Sequence, residues 1–341
     1  MALTNFPNGI SSFGIPVIGN GAPFGGNYWF VDPSSGSDGN SGKSPAKAFA
    51  TLYQAYKMLV EGNNDVVFLI SGSTTASSSN GTARLSLAAA QAVDPTATTG
   101  TLTWAKSSCH LIGVSSGGYN SRARIAPPTG IYTQATFNSG NFVVVTANNC
   151  LFQNISAYNG FSTGGASQIA WTDSGGHNTY VNCTIHGMAD ATSAASTTGR
   201  SLLITGTTGE NTFRGCTIGL DTVPRSTGAV EIEIAGGSPR NRFYDCVVET
   251  YSTAGADFWL KVGASGMDRY ALFDNCSFSN AIGSAAVALT TGFSMNAAPG
   301  GAILLQNCLT YGATAIDTAG KTFQNEANAA TAGSKVAAAS A

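Results

Sequence analysis

Glu231 and Glu233 are the residues of this 341-residue chain whose spacing most directly suggests chemistry. Alternate positions of a strand share a face, and glycoside hydrolysis uses two carboxylates about 5–9.5 Å apart, one as acid and one as base or nucleophile. Asp173, Asp190, Glu210 and Asp221 are further acids that neighbouring segments could bring close. Against this stands a plainer and stronger reading, that an outward strand face is where acidic residues ordinarily sit. Lyase chemistry would need an Arg or Lys base beside an acidic calcium cluster. Arg200, Arg214, Arg225, Arg240 and Arg242 are present, but no Asp-rich cluster stacks with them. His110, His177 and His186 are too scattered for a triad, and no Gly-x-Ser-x-Gly or phosphate loop occurs. Asp32 and Asp38 with Asn40 invite calcium, yet their spacing is not that of a helix-loop-helix site and glycine turns explain them. The sequence thus names no catalytic, metal-binding or cofactor-binding residue, and a non-enzymatic protein without cofactor is expected.

Cysteine is the other reactive residue. The seven lie at 109, 150, 183, 216, 246, 276 and 308, never as C-x-x-C. An odd, evenly spread set argues against a disulfide framework or a zinc site and for buried thiols acting as small apolar residues.

These cysteines mark a repeat. Asn178-Thr-Tyr-Val-Asn-Cys183-Thr-Ile185 returns as Asn211-Thr-Phe-Arg-Gly-Cys216-Thr-Ile218 and as Asn241-Arg-Phe-Tyr-Asp-Cys246-Val-Val248. It returns again as Ala271-Leu-Phe-Asp-Asn-Cys276-Ser-Phe278, with weaker copies around Cys150 and Cys308, at steps of 33, 33, 30, 30 and 32 residues. Positions three apart point to opposite faces of a flat strand, so the aromatic and the cysteine can share one core only if the chain bends between them. Asn, Gly and Asp, which precede the cysteines, tolerate the left-handed conformation of such a bend. The repeat therefore predicts an all-β parallel β-helix. Tyr180, Phe213, Phe243 and Phe273 turn inward, and Cys150, Cys183, Cys216, Cys246, Cys276 and Cys308 form one interior ladder.

Composition agrees. Forty-two glycines and 10% charged residues suit a solenoid with corners in every coil. A net charge of -2 gives no basic footprint for nucleic acid. No run approaches a membrane span, and the Met1-Ala-Leu-Thr-Asn-Phe6 start lacks signal-peptide character, so synthesis in the cytoplasm is expected.

Residues 1–26 mix Gly, Pro and Asn with Phe6, Ile10, Phe13, Ile15 and Val17, without periodicity. They read as an attachment arm that docks on its own β-helix or, ahead of that, on a partner chain. Residues 27–311 form the β-helix, with a capping helix at about 44–59 started by Ser44-Pro45, and 312–341 form an Ala/Gly/Thr-rich tail. The 41-residue step from Cys109 to Cys150 places a long loop at Ser115 to Gly130. Trp171 and Trp259 could serve a glycan-binding adhesin only if they lined an outer groove.

The segment from Tyr28-Trp-Phe-Val-Asp32 through Ser44-Pro45 to Leu52 resembles the entry of pectate-lyase-like right-handed β-helix proteins, with strand, acidic Gly-rich loop and capping helix. Ala2-Leu-Thr-Asn-Phe6-Pro-Asn-Gly-Ile10-Ser-Ser-Phe13 resembles the start of tailed-bacteriophage structural proteins. What the resemblance implies is a homotrimeric virion component. It would be a capsid decoration or head-fibre protein held on the major capsid protein or another virion protein. The alternative is a tailspike or tail fibre that binds or cleaves host surface glycan.

Overall fold

Each full coil bends twice through a residue with left-handed backbone. Asn154, Asn182, Gly215, Asp245, Asn275 and Asn307 occupy one corner at φ 51–59°, and Asn64, Ser108, Asn149, His177, Glu210 and Arg240 the other at φ 49–58°. Such a bend turns the strand direction in one or two residues and lets side chains on both sides of it face one interior.

The computed structural model describes residues 26–70, 84–86, 101–114, 123–126, 141–159, 169–189, 197–226, 228–280, 287–296, 299–317 and 319–324, together with short strands at Ser11–Ser12, Ile15–Pro16 and Ser334–Lys335. Among the described residues, Ser11–Ser12 and Ile15–Pro16 pair antiparallel with each other, and the other strands form three sheets, here S1 (seven strands), S2 (eleven) and S3 (eight), whose parallel pairing makes a right-handed parallel β-helix. A representative coil runs Ile169–Asp173 in S1, Thr179–Val181 in S2 and Thr184–His186 in S3, and re-enters S1 at Arg200–Ile204. The final strand of S2, Ser334–Lys335, pairs antiparallel.

Tyr180, Phe213, Phe243 and Phe273 are in register and stack in the interior with centroids 4.4–4.6 Å apart and planes within 7°. Past the corner, Cys183, Cys216, Cys246, Cys276 and Cys308 form a second column. Each thiol reaches a carbonyl of the preceding coil, from Phe152, Tyr180, Phe213, Phe243 and Phe273 respectively, at 3.3–3.7 Å.

Cys150 stands elsewhere. Phe152 pairs with Tyr180, which sets Ile155 opposite Cys183 and Cys150 opposite Asn178. Phe152 also pairs with Leu111, so Cys150 stacks on Cys109. The coils containing it are 41 and 28 residues long by these pairings. Its 33-residue distance from Cys183 matched the period without matching the register.

The column that holds Cys109 and Cys150 continues as buried amides. Asn178 Oδ1 accepts from Cys150 N (2.9 Å), Asn211 Oδ1 from Asn178 N (2.9 Å) and Asn241 Oδ1 from Asn211 N (3.2 Å). The Asn that opens three copies of the repeat thus supplies backbone hydrogen bonds that the turn between S1 and S2 leaves unmade.

The N-terminal cap divides in two. Pro45–Lys47 is a 3-10 turn whose preceding Ser44 makes no side-chain cap, and the α-helix is Leu52–Met58, capped by Thr51 Oγ1 accepting from Gln54 N (3.2 Å). Phe49 bridges to Val31 between them, which breaks the predicted single helix. Lys106 Nζ donates to the carbonyls of Tyr56 and Leu59 at the helix C-terminus (2.9 and 2.6 Å), where a cation is favoured. The span predicted as a long loop contains the S3 strand Ala123–Ala126. S2 also extends past Tyr311 through Thr322–Gln324, where Thr322 takes a buried position opposite Ile303 despite the Ala- and Thr-rich sequence around it.

Candidate functional site

Glu231 and Glu233 do share the outward face of the S1 strand Val230–Ile234, since Ile232 and Ile234 fill the interior. Their surroundings differ sharply. Glu233 is half-buried between two cations, ion-paired with Arg200 Nε and with Lys261 Nζ at 3.5 Å. Arg200 is oriented by the carbonyls of Thr197 and Gly199 (3.1 and 2.6 Å).

Glu231 is sealed at 1% exposure. Its Oε2 accepts from the Ser201 hydroxyl (2.5 Å) and its Oε1 from Arg225 Nε (3.3 Å). Burial pushes its pKa above the ordinary carboxylate value, against the pull of Arg225. Arg225 is itself fully buried and spends its remaining donors on the carbonyls of Gly187, Met188 and Val223. Gly219 makes room for this carboxylate: at φ +101°, a Cβ there would lie 2.0 Å from the Glu249 carbonyl and 3.0 Å from Glu231. The pair is therefore one partly exposed, ion-paired carboxylate and one enclosed carboxylate, not two acids flanking an open cleft.

The other acids separate. Asp173 is buried, accepting from Tyr180 Oη (2.6 Å), Asn178 Nδ2 (3.2 Å) and Gly175 N (3.0 Å), with its pKa pushed up to about 6 by burial. Asp221 is exposed, and Asp190 lies outside the described residues. Asp38 accepts from Ala50 N, Thr51 N and Thr51 Oγ1, and Asp32 from Ser34 N and Ser35 N, so these carboxylates serve backbone turns. No cluster of three or more metal-ligating side chains occurs among the described residues.

Buried positions also claim two histidines and both tryptophans proposed for an adhesin groove. His110 Nδ1 accepts from Leu151 N (3.0 Å), and burial lowers its pKa to about 4, which keeps it neutral. His186 Nδ1 lies 2.6 Å from the Gly219 carbonyl. Trp171 and Trp259 are interior, their Nε1 atoms donating to Tyr180 Oη (3.2 Å) and the Ser279 carbonyl (3.0 Å).

His177, Glu210 and Arg240 come together in a way the spacing alone did not reveal. They occupy successive rungs of the S1-to-S2 corner, where earlier coils carry Asn64, Ser108 and Asn149. Asn suits left-handed backbone, whereas Glu and Arg do not favour it. Arg240 Nε donates to Glu210 Oε1 (2.8 Å), and His177 Nε2 is 3.4 Å from Glu210 Oε2. Arg240 holds the Glu210 pKa below the usual carboxylate range.

Beside this corner, the outward face of S2 sets Arg214 opposite Tyr244, with its guanidinium 4.4 Å from the ring centroid. Arg242 on the same strand as Tyr244 donates to Tyr270 Oη (3.4 Å). Three guanidinium groups and two tyrosines thus gather on adjacent rungs, with Glu210 and Asp274 as acidic neighbours. Arg214, Arg240 and Arg242 were visible in the sequence; their convergence depends on register. Of the arm residues, Ile15 lies in the strand Ile15–Pro16, while Phe6, Ile10, Phe13 and Val17 lie outside the described residues.

No family model matches the chain and no curated protein matches it. Among solved structures, it is similar to pectate lyase Pel9A, with TM-score 0.56 and 16% identity over 87% of this chain and 68% of that one. It is also similar to the pectin methylesterase of Aspergillus niger, with TM-score 0.51 and 15% identity over 91% and 83%. A rhamnogalacturonan lyase matches with TM-score 0.51 and 15% identity over 84% and 68%. Likeness at this identity shows the pectate-lyase-like fold. It also corrects the expectation of a non-enzymatic protein: these three neighbours are enzymes, so missing sequence motifs do not exclude catalysis from this architecture.

Proposed function

We propose that this protein is a component of a tailed-bacteriophage particle whose β-helix engages polysaccharide of the host surface along the outward face of S2. The observation that carries the reading is the gathering of Arg214 and Arg242 with Tyr244 and Tyr270 on adjacent rungs, beside the Arg240–Glu210 pair. Guanidinium groups take carboxylates in bidentate pairs, and tyrosine offers an apolar face and a hydroxyl at small entropic cost. Rungs about 4.8 Å apart present such groups as an extended track, which suits a polymer better than a small molecule. The resemblance of residues 2–13 to phage structural proteins supports the particle. Pectate and rhamnogalacturonan, named for two of the neighbours, support a polysaccharide ligand.

The test is titration of the full chain with acidic and neutral polysaccharides purified from bacterial envelopes, beside a variant carrying Arg214→Ala and Arg242→Ala. An acidic polymer should bind in a salt-dependent manner, and the double variant should bind at least about tenfold more weakly. Equal binding by the variant, or no binding of any envelope polymer, overturns the reading. Reducing-end release in the same incubations reports whether the bound chain is also cut.

A further inference from the structure

The outward face of S2 is apolar at its N-terminal end, in contrast to the later rungs. Tyr28, Phe30, Val66, Phe68, Ile112, Leu151 and Val181 all point away from the interior, because their strand neighbours Trp29, Val31, Val67, Leu69, Leu111, Phe152 and Tyr180 fill it. Tyr28 and Phe30 both contact the Phe68 ring, at 5.9 and 5.3 Å. Although they face outward, Val66 is 0%, Ile112 6% and Leu151 9% exposed, and they cluster separately from the core. The capping helix does not cover them: its buried Leu52, Ala55 and Tyr56 belong to the interior cluster at the open end of the solenoid.

We infer that residues 1–25 of the same chain fold back over this stripe. The segment joins the β-helix at the edge of this sheet, where Asn27 N donates to the buried Asp65 carboxylate (2.6 Å) immediately before the strand Tyr28–Val31. Besides Met1 it carries Leu3, Phe6, Ile10, Phe13, Ile15, Val17, Ile18 and Phe24, eight large apolar side chains with no helix or strand period of their own. The sequence at 71–83, which leaves the same sheet after Ile70, has no large apolar residue to offer. Reach is ample, since 25 residues extend up to about 80 Å and the stripe crosses rungs that rise only about 4.8 Å each. The hydrophobic effect favours covering such a stripe, and a tethered segment meets it at high effective concentration.

Alkylation of an Ile112→Cys variant, read at that peptide by mass spectrometry, tests this directly. Removing residues 2–25 should speed labelling at position 112 at least about tenfold, as expected when a buried thiol becomes exposed. A Leu272→Cys control, outward on a distant rung of the same sheet, should be unaffected. Protection in the full chain should also survive dilution, because the cover is intramolecular. Equal rates with and without the segment overturn the inference, and protection lost on dilution overturns it in favour of a second copy. If the shortened chain loses its β circular dichroism, the full chain with Phe6→Ser, Phe13→Ser and Val17→Ser is read in the same way.

Discussion

The coils before and after Thr179 share a backbone plan but are filled differently. After it, four aromatic rings stack nearly parallel with centroids 4.4–4.6 Å apart. Before it, Trp104, Phe152 and Trp171 meet edge to face at 5.8 and 5.2 Å. The later coils repeat at 33, 30, 30 and 32 residues by their register, whereas the two around Phe152 take 41 and 28. Uniform coil length lets one residue type recur at one position, and recurrence produces columns. Where coil length varies, each rung is packed individually, and larger rings of different orientation fill the space.

The contrast breaks most severely at the centre of the aromatic column. Phe243→Ala should cost about 3–5 kcal/mol in chemical denaturation, because it opens a cavity against two neighbouring rings in a close-packed interior. Phe243→Leu should retain most of that stability.

Asp173, at the boundary between the two regions, gives the next largest effect. Its folded pKa of about 6 lies above the ordinary 3.8, so the native state holds the proton more tightly than the unfolded chain. Stability should therefore fall as pH rises from about 4 to about 6 and stay lower above it, by about 2–3 kcal/mol. Asp173→Asn should flatten that part of the stability–pH curve. An unchanged slope would mean that the hydroxyl and amide donors around it already compensate the charge.

Asn211→Ala should cost about 1–3 kcal/mol, since it leaves the Asn178 N–H buried without its partner. Ile155→Cys is the mildest test. It would extend the five-thiol column by one rung and should cost only about 1 kcal/mol, for lost volume.

The candidate carboxylates carry the same lesson at a smaller scale. Alternation along Val230–Ile234 put Glu231 and Glu233 on one face, and this was legible from a strand period of two. What differs is the covering polypeptide. Gly187 and Met188, from the chain between S3 and S1, and Arg225, at the end of the next S3 strand, close over Glu231, while Glu233 two residues on stays partly exposed. No local pattern predicts that closure, because it depends on how a loop of one coil lies across the strand of the next. The His177–Glu210–Arg240 column was hidden for a related reason. Its members are 33 and 30 residues apart and meet only once the register is known.

The sequence by itself determined the coil. The aromatic, the turn-former and the cysteine fix two strands and a left-handed bend through short-range sterics, and this geometry needs no distant contact. The tertiary structure alone decided which rung each copy occupies, and so moved Cys150 out of the thiol column and into that of Asn178. Register is set by the summed length of both turns and the connecting loop, and a change of five residues leaves a cysteine buried while transferring it to another corner.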